Sequence, residues 1–146
     1  MVSFTKLWNN HPGLYKKPCD YPDFQNQCAI RMGVAFELSK INTDSFKGAR
    51  CWSKHKDGVK HILRAQELAN WIDKNPSLFG YKKVFIRSKN PNMNKDFFKN
   101  YKGIIFIKDG WGPTDHIDIW NGTSLKGGYA DSYFSKGKEI WVWSLT

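Results

Sequence analysis

The groups in this 146-residue chain with reactive potential are three thiols, four imidazoles and a modest set of carboxylates. Cys28 stands out among the thiols. It sits in "FQNQCAIRMGVAF" (24–36), after two side-chain amides and at the head of an apolar run that can wind as a helix. A thiol attacks as thiolate, and a helix N-terminus favours that form because its unpaired N–H groups and macrodipole stabilise negative charge. The alternative is packing, with Cys28 a small buried hydrophobe beside Ala29.

A cysteine nucleophile needs a base to take its proton. His11 lies in the turn "NNHPG", His55 in a lysine-rich loop, and His61 at the start of a helical run where a surface or capping role suits it. His116 opens "HIDIWNG" directly after the turn "GWGPTD", which places it at the rim of a sheet. A strand-edge histidine facing a helix-start cysteine is the arrangement of papain-like hydrolases. A third group should accept a hydrogen bond from the imidazole. Asp131 in "GGYADSYF" is taken first, and Asp118, two residues beyond His116 on the same strand face, is the alternative. For the oxyanion, the Cys28 backbone N–H is one donor, and the side-chain amide of Gln27 or Asn26 is a second. Asn26 suits an ordinary helix cap equally.

The elements that must position these groups follow from periodicity. Ser3 caps a short helix over "SFTKLW"; three prolines make 12–24 irregular; Ile30, Val34 and Leu38 form a helical stripe from Asn26 to about Lys40. Residues 41–60 read as a long loop, and "HILRAQELANWIDK" as a helix with Ile62, Ala65, Leu68, Ala69 and Ile72 on one face. Beyond it the period shortens to that of strands in "KKVFIRS", "GIIFIKD", "HIDIWNG" and "EIWVWSL", with a short helix expected in "NMNKDFFKNY". Helices first and strands after predict one α+β domain over 1–146 with a mostly antiparallel sheet.

Composition narrows the classes. Hydrophobic content of 40% and aromatic content of 16% argue against disorder, and no segment is long and apolar enough to span a bilayer. The net charge of +10 suits an acidic partner such as an anionic wall polymer. The lysines are scattered, without a nucleic-acid-binding signature, so nucleic acid is not expected as a partner. Cys19, Cys28 and Cys51 contain no CxxC pair, so no metal site and no cofactor is indicated. A Cys19–Cys51 bridge would leave Cys28 free, but the other pairings and a fully reduced chain remain open. The start "MVSFTKLWNNHPG" lacks the pattern of a signal peptide, so export by another route is expected.

The stretches "SFTKLW", "CDYPDFQNQCAIRMG", "SFKGARCW", "HILRAQELANW" and "HIDIWNG", in this order, resemble the type VI secretion amidase effectors, specifically the fourth amidase effector family. The resemblance implies a papain-like fold and a cysteine amidase made without a signal peptide and injected by one bacterium into the periplasm of a rival. It implies cleavage of peptidoglycan stem peptides between D-glutamate and meso-diaminopimelate, with a cognate immunity protein as partner in the producing cell. By motif, Cys28 matches the family nucleophile and His116 its general base. The family's third residue is an aspartate shortly after the histidine strand, where this chain reads "NGTSLKGGYADSYF" with glycines at the expected spot. Asp131 or Asp118 would then substitute, or a dyad would suffice. Rival readings are a papain-like acyltransferase, another peptidase, or a non-catalytic wall-binding module using Trp111, Trp120, Trp141 and Trp143.

Overall fold

A computed structural model describes residues 1–19, 26–51 and 60–146. Helix α1 spans Phe4–Asn10, and the Ser3 hydroxyl accepts from the Lys6 N–H at 3.3 Å, the expected cap. Helix α2 spans Cys28–Leu38 and buries every residue from Cys28 to Phe36. Helix α3 (Ala65–Asp73) turns Leu68, Ala69 and Ile72 inward, and α4 (Pro76–Phe79) follows as a single turn with proline at its start.

The α3 helix begins later than its apolar periodicity predicts. Residues 61–63 are extended instead, bridged to residues 49–51 through Cys51 N–H to His61 O (2.9 Å) and Leu63 N–H to Ala49 O (3.1 Å). His61 is therefore buried in a bridge rather than placed at a helix start. Ile62 still reaches the core, because either conformation points it inward.

Strands β1 (Lys83–Ile86), β2 (Gly103–Trp111), β3 (Thr114–Trp120) and β4 (Glu139–Ser144) form one antiparallel sheet in the order β1-β4-β2-β3. A 3-10 helix at Lys95–Phe98 and the single turn α5 (Ala130–Tyr133) complete the elements among the described residues. Alternation along the strands splits the core in two. Ile104, Phe106, Ile117, Ile119, Trp141 and Trp143 face α1 to α4, while Ile105, Ile107, Trp120, Ile140 and Val142 face Phe98, Leu125 and Phe134. Trp120, Trp141 and Trp143 are thus core residues.

Strand β3 forms one edge of the sheet, and its pairing with β2 shifts register between Ile107 and Trp111. Asp109 takes a positive φ of 54° within that irregularity and donates its N–H to the Asp115 carboxylate at 2.8 Å. Such a bulge bends the hairpin end and re-aims the residues beside it. It leaves the Asp115 carbonyl 4.0 Å from the Cys28 sulfur.

Candidate active site

The start of α2 meets the edge strand at Cys28 and His116. Cys28 is a free thiol, 4% exposed, in the first turn of α2. His116, 7% exposed, lies near enough to the Cys28 side chain for the thiol to be one of the groups that raise its imidazole. Its Nε2 lies 2.8 Å from Asp118 Oδ2, which leaves Nδ1 as the nitrogen for the thiol. Two residues along a strand restore the same face, so His116 and Asp118 are neighbours by construction.

Asp118 is wholly buried, and each of its oxygens is engaged. Oδ2 takes the imidazole, while Oδ1 accepts the Ile119 N–H at 2.8 Å and the Gly127 N–H at 2.9 Å. Gly127 can make this approach because it lacks a side chain: a Cβ there would lie 3.0 Å from His11 Cε1 and 3.4 Å from Asp118 Oδ1. Burial opposes charge on His116, but its hydrogen bonds and Coulombic attraction to Asp118 and Cys28 outweigh it and raise the imidazole to about 10. The ring is therefore cationic at neutral pH, a suitable counterion for a thiolate.

Asp131, the first-taken third residue, is not brought to this cluster. It lies on α5, 81% exposed, and pairs with Lys95. The structure assembles Cys28 and His116 with Asp118 instead. The single turn of α5 starts the chain away from β3, which turns Asp131 to solvent while Tyr133 points back.

The oxyanion candidates also separate. Gln27 is buried, with its amide nitrogen donating to the Cys19 carbonyl at 2.8 Å and its oxygen accepting the Cys19 N–H at 3.4 Å. It fastens the chain ahead of α2. The Cys28 N–H donates to Asn26 Oδ1 at 3.3 Å, and Asn26 is exposed beside Asp115 and Arg64 in a cleft of about 290 Å³. Of the two amides, Asn26 is the one that borders open space next to Cys28. His55 lies outside the described residues.

Several residues around the site carry no local sequence signal. Tyr133 stands edge-on to the His116 ring at 4.8 Å, and Trp111 packs on Tyr133 at 4.9 Å and lies 6.1 Å from His116. The two rings wall off the imidazole on this side. Gly128 lets this wall close, since a Cβ there would sit 2.5 Å from Tyr133 Cε2. Arg31, one turn beyond Cys28, donates to the carbonyls of Lys16 (2.9 Å) and Leu14 (2.7 Å) and draws the 14–16 segment against α2. His11 is buried against Asp118, with Nε2 3.9 Å from Oδ1.

Helices packed on an antiparallel sheet, with a thiol at a helix start against a histidine on the edge strand, define an α+β papain-like protein. Across 24–143 the chain matches the family model described as type VI secretion system amidase effector protein 4, and it belongs to that family. The fold is similar to the effector Tae4 from Salmonella typhimurium, solved in complex with the immunity protein Tai4 from Enterobacter cloacae. That likeness has a TM-score of 0.76 at 19% identity and covers 100% of both chains. It is similar also to the Salmonella Typhimurium Tae4–Tai4 complex, with a TM-score of 0.77, 18% identity and 100% and 99% coverage. Tae4 from Enterobacter cloacae gives 0.74 at 19% identity, with 100% and 98% coverage. No curated protein matches the chain.

Proposed function

We propose that this amidase effector hydrolyses the D-glutamyl–meso-diaminopimelate bond of peptidoglycan stem peptides, with Cys28 as nucleophile, His116 as general base and then acid, and Asp118 as the group that orients the imidazole. The observation that carries the reading is the buried line from the Cys28 thiol through His116 to Asp118, closed at 2.8 Å on its far side. The thiol proton already rests on the His116 imidazolium, and the paired Cys28 thiolate adds to the amide carbonyl. Donors at the α2 start, with the Asn26 amide beside them, meet the oxyanion. Collapse expels the amine with the proton from His116. Water, deprotonated by the same ring, then hydrolyses the thioester and regenerates the thiol.

The net charge of +10 suits a polyanionic wall as substrate. Delivery by a type VI machine into a rival's periplasm accords with the family. The family relative from Salmonella typhimurium was solved with Tai4 bound, which supports a cognate immunity protein here too. The basic loop 47–60, of which 52–59 lie outside the described residues, and the glycine-rich 121–130 stretch are the surfaces we assign to that partner.

Digesting defined muropeptides and weighing the fragments tests the bond assignment. New D-glutamate carboxyl ends and free diaminopimelate amines are expected. Cleavage at another amide would overturn the bond assigned here, and transfer of the acyl group to an amine would favour an acyltransferase.

A further inference from the structure

We propose that His11 is a positioning residue of this site, holding Asp118 from behind so that Asp118 can hold His116. The inference rests on the reading of Cys28 and His116 as the reacting pair. His11 ends α1, where its backbone N–H caps the Leu7 carbonyl at 3.1 Å. Its ring is 4% exposed, and Nδ1 accepts the Gly13 N–H at 3.0 Å. A neutral ring that accepts at Nδ1 carries its proton at Nε2. That Nε2 is 3.9 Å from Asp118 Oδ1, beyond hydrogen-bond distance but within electrostatic reach of the carboxylate.

The groups facing His11 are Asp118 and His116 from β3, Lys126 from the following loop and Arg31 from α2. Burial holds the ring neutral, to about 4, against the pull of Asp118 and with the help of the three cationic neighbours. A neutral donor stabilises the carboxylate without competing with His116 for its charge. A second function is steric. His11 borders Gly127, whose N–H is one of the donors on Asp118 Oδ1, and thereby fixes the loop that delivers that donor. The N-terminal segment is held in place from the other side by Lys126, whose ammonium donates to the Trp8 carbonyl at 2.6 Å.

Outer groups that orient a reacting or ligating side chain are worth about 10–100-fold in activity. The test compares wild type with His11→Phe, which fills the volume without an N–H, and His11→Gln, which keeps a donor. It measures kcat and KM on muropeptides, and the rate of Cys28 alkylation by iodoacetamide from pH 5 to 10. Expected is a kcat loss of about 10-fold or more in His11→Phe at unchanged KM, partial rescue in His11→Gln, and alkylation profiles that shift in the same order. Ring ¹⁵N NMR of wild type, which needs no variant to fold, should show the His11 proton on Nε2 at neutral pH. A proton on Nδ1, or variants with wild-type kcat and wild-type alkylation profiles, would overturn the role of His11. A wild-type Cys28 that alkylates like an ordinary thiol would overturn the reacting pair itself, and His11's role with it.

Discussion

Replacing Asp118 by Asn separates the two candidate carboxylates and probes the orientation of His116. The carboxylate accepts three hydrogen bonds, from Ile119 N–H, Gly127 N–H and the imidazole, at 2.8, 2.9 and 2.8 Å. An Asn oxygen can serve the two backbone donors, so the loop and strand keep their places. Its amide nitrogen must then face His116 Nε2, which forces the ring proton to Nδ1, opposite Cys28. A ring protonated there and neutral cannot accept the thiol proton. The loss of one hydrogen bond to a charged group is about 1.5–3 kcal/mol. With the tautomer reversed the cost rises toward the ~10⁴-fold of the analogous substitution in serine protease triads. The expected fall in kcat is therefore about 10²–10⁴-fold at nearly unchanged KM, with Tm lowered by about 3–12 °C. The control is Asp131→Asn, an exposed site whose loss should stay within about twofold. Steady-state release of free amines from muropeptides measures both. A near-normal Asp118→Asn beside a crippled Asp131→Asn would refute the assignment, and near-normal rates in both would favour a dyad.

The two central histidines should give the stability a maximum near pH 6.5. His11 is lowered from 6.5 to about 4, so the unfolded chain binds more protons between those values. Stability then falls as pH drops through that window, by up to about 3 kcal/mol. His116 is raised from 6.5 to about 10, so its contribution is full below 6.5 and is lost as pH rises toward 10; denaturant midpoints against pH check both limbs. Arg31→Met strips the Lys16 and Leu14 carbonyls of their donor and should cost about 2–4 kcal/mol, read as a shifted urea midpoint. Gly128→Ala puts a Cβ 2.5 Å from Tyr133 and 3.1 Å from His116 Nε2, and the displaced ring should lower kcat by about 10²-fold with the fold retained in circular dichroism.

Much of this was legible in the residue order. The β2, β3 and β4 strands show themselves because β-branched and aromatic residues alternate or run together between turn residues, and α1 because Ser3 precedes a helical stripe. Tertiary pairing moved the α3 boundary: extended 61–63 bridges 49–51, and no local propensity encodes that partner. The Cys28–His116 meeting followed from a helix start and a strand rim, each a local feature. The acid behind His116 was harder. Asp118 shares its strand face, yet a sheet-face carboxylate pairs with a lysine equally well on sequence grounds. Only its complete burial and the Gly127 N–H arriving from a loop set it apart from Asp131. His11 lies more than a hundred residues from Asp118 in an unremarkable turn, and only packing of α1 against the 126–128 loop brings it in.

The central claim is that Cys28 carries out the amide cleavage of this effector, driven by His116. Quenching the protein during muropeptide turnover and mapping its peptides by mass spectrometry tests it most directly. A transient acyl adduct on the peptide containing Cys28, accumulating in wild type and absent together with all cleavage in Cys28→Ala, is the expected result. Cleavage by Cys28→Ala at the wild-type rate would contradict the account.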